Sequence, residues 1–284
     1  MSNKVLWWLG IVVIGTVAYV IGYGAASIVY RQTIQTLPRP SLGTAEPIKK
    51  KAIDETKIPG GRYQGTQKIP ILTYHWIREM PGEEDKAGQK LTVTPGNFER
   101  QMQWLLERGY QPVDFNALRA NDLPAKPVII TFDDGYRDAY TTALPILQKF
   151  GFRGIFYIVP NWTSREQYLT WDQVKEISAA GMQIGSHTLT HANLTDKNLS
   201  PDQIKRQLTQ SKKLIEDQIG QTVQDFCYPY GVVNNSAIDA VYGAGYKTAT
   251  STREGIVKKG AYLLYLDRIR VHDDSDFDKL INTQ

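Results

Sequence analysis

From residue 69 onward the chain alternates between two hydrophobic patterns. Short strand-like runs recur at 69–74, 128–130, 154–159, 182–185, 225–228, 246–251 and 263–271, the β-branched Val128-Ile129-Ile130 being the most apolar of them. Such runs suit strands buried on both faces. Between them, apolar positions at helical spacing cover 94–109, 139–150, 171–180, 200–219 and 236–244, and a terminal helix starts near 277. Thr170 is placed to cap the helix that Gly181 stops, Pro201 to open another, and Gly151 to stop a third. Residues 111–115 read as a short extended piece, 116–120 as a helical turn, and the acidic stretch 82–88 as a loop. Strand and helix in strict alternation predict an α/β fold with a parallel sheet under helices. Seven or so such units predict a distorted barrel. Right-handed crossovers then place every strand's carboxyl end on one rim.

The first 68 residues have a different texture. Residues 5–30 carry no charge, with Lys4 before them and Arg31 after. At about 1.5 Å per residue they span roughly 39 Å, more than a bilayer core of roughly 30 Å. Trp7, Trp8, Tyr23 and Tyr30 suit the two interfaces. Gly24-Ala25-Ala26 offers a cleavage site, so a signal peptide and a secreted product are the alternative. The run exceeds a signal peptide's apolar region, which favours an uncleaved membrane anchor over 1–31. Residues 32–68, with Pro38, Pro40, Pro47, Pro59, Gly60, Gly61 and Lys49-Lys50-Lys51, read as a flexible linker. The expected organisation is single-pass, with the domain over 69–284 outside the cell.

Composition narrows the classes. The net charge of +4 comes without a basic stripe interleaved with aromatics, which argues against nucleic acid as a partner. The one cysteine, Cys227, excludes an internal disulfide and a Cys-based zinc site. With no histidine near it in sequence, it reads as a small buried hydrophobe.

The candidate chemistry lies at strand ends. Thr131-Phe132-Asp133-Asp134-Gly135 puts two carboxylates where α/β folds bind ligands. All four histidines, His75, His187, His191 and His272, directly follow predicted strands. His187 and His191, four apart, would share one face of a helical turn and could grip one ion. A carboxylate from the Asp pair completes a His₂-Asp set with open positions, suited to Zn²⁺ or another borderline divalent ion. The bland alternatives are histidines that pack and cap a turn, and an Asp that caps the next helix. Trp76, Trp162, Trp171 and Tyr136 fall near strand-end loops, either as core or as exposed stacking platforms.

Taken together, Thr131-Phe132-Asp133-Asp134-Gly135, Ser186-His187-Thr188-Leu189-Thr190-His191 and Tyr228-Pro229-Tyr230-Gly231 resemble the polysaccharide deacetylase (NodB-homology) domain, carbohydrate esterase family 4. The resemblance covers roughly residues 69–271. It implies a distorted (β/α)₇ barrel, in line with the strand count. It also implies Asp133 as general base, and Asp134, His187 and His191 as ligands of a divalent metal, Zn²⁺ first with Co²⁺ or Ni²⁺ as alternatives. Pro229-Tyr230-Gly231 matches the motif whose Tyr backbone N–H helps hold the oxyanion.

The sequence departs from the family pattern in two places. The third motif commonly carries an Arg that orients the base, and Phe226-Cys227-Tyr228-Pro229-Tyr230-Gly231 has none. Arg268 and Arg270, which share one face of the last strand, are the candidates to replace it. Val271-His272-Asp273 is the match for the motif that offers a general acid, with His75 as rival. The Tyr74-His75 strand and the missing Arg look most like the branch acting on poly-β-1,6-N-acetylglucosamine. The resemblance implies an acetylated amino-sugar polymer as substrate. A non-catalytic carbohydrate-binding barrel and a metal amidase for a small molecule are the competing readings.

Overall fold

The structure is a computed structural model that describes residues 53–282. The expected membrane anchor over 1–31 and most of the expected linker lie outside the described residues. Among the described residues no helix is long and apolar enough to cross a membrane.

Seven parallel strands close into a ring: β1 (Ile71–Tyr74), β5 (Pro127–Phe132), β6 (Ile155–Ile158), β7 (Gln183–Ser186), β8 (Asp225–Cys227), β9 (Thr248–Glu254) and β10 (Leu266–Arg270). Closure comes from β1, which pairs with β10 on one side and β5 on the other. Two shorter strands lie earlier in the chain, β2 (Trp76–Ile77) and β3 (Thr92–Val93), paired with each other. A further short strand, β4 (Gln111–Pro112), lines the first residues of β5. The barrel predicted from strand–helix alternation is present.

Period-2 alternation sorts each strand into an outer and an inner set. Val128, Ile130 and Phe132 of β5 join the layer under the helices with Leu72, Tyr74, Phe156 and Phe226. Ile129 faces inward with Ile71, Ile155, Tyr157, Cys227 and Leu266. By the same parity Thr131 and Asp133 point into the lumen from β5, as does Arg268 from β10. The inner positions thus turn from aliphatic to polar toward the carboxyl end, where the site lies.

The helices are α1 (Lys86–Leu91), α2 (Pro95–Glu107), α3 (Phe115–Ala120), α4 (Leu144–Lys149), α5 (Trp171–Ala179), α6 (Pro201–Ile219), α7 (Asn235–Gly243) and α8 (Phe277–Asn282). Their termini follow the sequence signals: Thr170 and Ser200 form full capping boxes with Gln173 and Gln203. A π turn over Ala139–Ala143 precedes α4.

Three expectations need correcting. The stretch expected as loop at 82–88 runs into α1, because the Asp85 side chain accepts from the Gly88 N–H and starts a helix. The last strand is shorter than 263–271, because Tyr265 turns back on Tyr262 and Leu263 donates to Gly61. The described part of the expected linker, 53–68, is packed on the barrel rather than free. Tyr63 is buried among Ile69, Ile71 and Leu266, donates to the Ala261 carbonyl, and Ile69 pairs with Val257. That segment holds on largely through backbone bonds, which leave no hydrophobic period to read.

Candidate metal and catalytic site

The Asp133 N–H donates to Tyr74 O at 2.9 Å, carrying the β5–β1 ladder one residue past the strand. The chain then turns through two left-handed residues, Asp134 at φ 72° and Gly135 at φ 73°. Asp is among the few side-chain-bearing residues that tolerate this region, and Gly enters it without strain. The turn aims the two adjacent carboxylates at different partners.

Asp133 is 3% exposed and clamped by Arg268. The guanidinium Nη1 donates to Oδ1 and Nη2 to Oδ2, both at 2.7 Å, a bidentate pair. Arg268 is 1% exposed. It is itself fixed by donating to Ser251 O at 2.8 Å, to Thr131 Oγ1 at 3.1 Å and to Cys227 Sγ at 3.2 Å. Burial would raise the Asp133 carboxyl, but the Arg268 charge and hydrogen bonds overcome it and hold the pKa at about 2. Asp133 is therefore an ionised base, and its Oδ2 also accepts from the Cys227 thiol at 3.6 Å. Of the two arginines on this face, Arg268 makes the contact and Arg270 does not.

Asp134 turns to the histidines. Its Oδ1 lies 3.3 Å from His187 Nε2 and 3.3 Å from His191 Nε2. One donor atom from each of the three residues falls within 4.8 Å of the others, the dimensions of a cation's ligand set. His187 Nδ1 is 2.7 Å from Cys227 O. A carbonyl only accepts, so Nδ1 carries a proton, which leaves Nε2 as the nitrogen that faces Asp134. Burial opposes charge on Asp134, yet the bonds from His187 and His191 hold it well below the usual carboxylate range. Two imidazole nitrogens and one ionised carboxylate oxygen, converging in a buried pocket, fit a divalent metal of the zinc type.

The local conformation of the histidine pair differs from the expected helical turn. Residues 187–191 leave β7 through a non-helical turn in which Thr188 (φ 62°) and His191 (φ 61°) are left-handed. The Thr188 hydroxyl accepts from the Ala192 N–H at 2.9 Å and holds the turn. Convergence on one side is achieved by these two backbone reversals instead of by helical spacing.

The other candidates separate. His75 Nε2 lies 3.9 Å from Asp133 Oδ2. Burial pushes its pKa down to about 4, against the pull of Asp133. His272 is exposed, and its contacts are with Ser275 and Gln101 through its backbone. The structure therefore brings His75 to the base and leaves His272 away from it. Tyr230 adopts φ 60° within a turn whose Pro229 is buried. It is 61% exposed, with its ring 4.5 Å from that of His191.

Trp162 flanks His191 at 4.8 Å and Tyr168 stacks on Tyr136 at 5.1 Å, forming an aromatic wall beside the ligands. Trp76 is buried against Tyr136, and Trp171 packs on the outer core. Two site residues escaped the sequence reading. Cys227 is buried as expected, but its carbonyl orients His187 and its thiol touches Arg268. Its inward parity on β8 was the available signal. Tyr168 lies in a loop with no pattern to reveal it.

A profile of the family described as polysaccharide deacetylase matches residues 120–249. The Bacillus subtilis (strain 168) protein YxkH, whose name places it among polysaccharide deacetylases, is 33% identical over 209 residues, covering 72% of this chain and 71% of that protein. The chain belongs to the polysaccharide deacetylase family. Its enzyme class is hydrolysis of an amide C–N bond. Among other members, a Staphylococcus aureus (strain MRSA252) poly-β-1,6-N-acetyl-D-glucosamine N-deacetylase is 26% identical over 234 residues, 74% of this chain and 80% of that one. The solved structure of the Streptococcus pyogenes deacetylase PplD in complex with acetate superposes with a TM-score of 0.70 at 33% identity, covering 77% of this chain and 98% of that one.

Proposed function

We propose that this deacetylase removes N-acetyl groups from an N-acetylglucosamine-containing polysaccharide of the cell surface or matrix, with a divalent metal, zinc first, held by Asp134, His187 and His191. The observation that carries the reading is the adjacency of that ligand set to Asp133, a buried carboxylate kept ionised by Arg268. An ion there would supply a Lewis acid for the acetyl oxygen and acidify water near neutrality.

The chain's own groups do the rest. Asp133 takes the water proton as it attacks the acetyl carbon. Arg268 holds the carboxylate in one orientation, so no reorganisation is needed. The Tyr230 N–H, on its left-handed backbone, donates to the oxygen that becomes negative. The leaving amine must be protonated. With a pKa of about 4, His75 is neutral at pH 7 in the metal-free protein, so its proton must arrive during the reaction. Asp133, 3.9 Å away, has just received one. The aromatic wall of Trp162, Tyr168 and Tyr230 suits stacking against sugar faces.

Similarity to the Staphylococcus aureus enzyme supports a β-1,6-linked polymer as the substrate. The uncharged run at 5–30 supports a tether that leaves the catalytic domain outside the cell. A panel of β-1,4- and β-1,6-linked N-acetylglucosamine oligomers tests the function. Acetate release from the β-1,6 series, abolished by a chelator and restored by zinc, is expected; release from neither series overturns the reading.

The proton donor is tested separately. His75→Ala should lower kcat by about a hundredfold, in the range of general acid catalysis, while His272→Ala should leave it within about twofold, as exposed substitutions do. The reverse order would assign the role to His272.

A further inference from the structure

Arg270 is the last residue of β10, two beyond Arg268 and on the same inward face. Its register partner on β1 is Thr73, two residues before His75, so it stands on the rim above the Arg268–Asp133 pair. It is partly buried, and its charge is felt by His75. Among the described residues it is the one partly buried arginine with no hydrogen-bond, ion-pair or ring partner. The others are engaged: Arg78 lies over the Trp76 ring at 3.5 Å, and Arg137 donates to the Tyr168 and Arg165 carbonyls. Arg108, Arg119 and Arg253 meet Asp278, Asp225 and Asp267. The two acids of the site, Asp133 and Asp134, are committed to Arg268 and to the two histidines.

A half-desolvated guanidinium without a counter-charge carries an unpaid hydration cost. At the mouth of a binding site, that cost is offset when a ligand brings the anion. We infer that Arg270 forms an oxyanion-binding subsite that takes a carboxylate or phosphate carried by the glycan next to the reacting acetamido group. The planar fork of donors matches either anion in a bidentate fashion. The acetamido group is neutral, so the anion must be a substituent of the same or the neighbouring sugar. This inference rests on the deacetylase reading of the site, but not on the linkage of the polymer.

The test uses the zinc-loaded enzyme and the oligomer it turns over best, unmodified, O-carboxymethylated or O-phosphorylated. The wild type should prefer an anionic oligomer, and Arg270→Gln should lose about tenfold of that preference in kcat/KM, the scale of a charge-assisted hydrogen bond. Arg270→Lys should keep part of it, and about 0.5 M salt should weaken it in the wild type. The carboxymethyl and phosphoryl arms show which anion is preferred. An anionic-to-neutral ratio unchanged by Arg270→Gln overturns the inference. So does a variant that changes only inhibition by free acetate, since the ligand would then be the product. If the wild type releases acetate from no oligomer, the deacetylase reading fails instead. Binding of the same oligomers to zinc-loaded Asp133→Asn, with and without Arg270→Gln, then decides Arg270 by the same ratio.

Discussion

Asp133→Asn abolishes turnover: kcat on an acetylated glucosamine oligomer should fall by about a thousandfold or more, the upper part of the range for a positioned base. The substitution keeps the shape but not the function. An amide cannot take a proton from water at neutral pH. It also turns one of the two oxygens that accept from Arg268 into a donor facing a donor. The guanidinium keeps its bonds to Ser251 and Thr131, so the barrel should survive with a loss of about 1–3 kcal/mol, the cost of one unmatched buried polar group. Steady-state kinetics with a thermal melt on the same sample separates the two effects. Normal turnover by a folded Asp133→Asn protein would remove Asp133 as the base. Because Arg268 holds Asp133 at about 2, the base stays ionised from weakly acidic to alkaline pH. Any loss of wild-type activity as pH falls through 6 to 4 must therefore arise from other groups.

His187→Ala or His191→Ala should each eliminate retained metal. Each removes one of three donors that meet within 4.8 Å, and loss of a ligand typically costs orders of magnitude in affinity, more than the 10–100-fold of an outer contact. Equilibrium dialysis against zinc gives the stoichiometry, expected near one for the wild type and near zero for either variant at equal free metal. Full occupancy in either variant would contradict the ligand set. Stability should follow by linkage: added zinc raises the wild type's Tm and leaves the variants' unmoved. The two changes should differ without metal. His187 is fully enclosed and bonded to Cys227 O, so its removal leaves a cavity and an unpaired carbonyl, whereas His191 lies nearer the surface. His187→Ala should be the less stable of the two by about 1–3 kcal/mol.

The sequence made the barrel legible because strands such as Ile71–Tyr74, Pro127–Phe132 and Ile155–Ile158 are short apolar runs, and several helices open on a capping side chain, Asp85, Asp114, Thr170, Ser200 and Asn234. It also made Asp133, Asp134, His187 and His191 legible, since residue type and strand-end position coincide in all four. Other features depend on depth, which one dimension does not carry. Arg268 and Arg270 are equivalent by parity, and only distance along the barrel axis gives one the base and leaves the other at the rim. His75 and His272 each follow a strand, and only burial separates them. The spacing of His187 and His191 suggested a helical turn, yet two left-handed residues produce the same convergence, and Thr188 is not a type that announces such a conformation. The segment 53–68 looked like tether because its attachment runs through Tyr63 and Ile69 backbone groups.

The first strand of the ring sits between the fifth and the last. A chain emerging in order from the ribosome therefore cannot seal the cylinder until its final strand has been made. The guanidinium that neutralises the base arrives with that strand. An incomplete polypeptide consequently holds an uncompensated carboxylate beside an open seam, and hydrolytic competence is gained late and all at once.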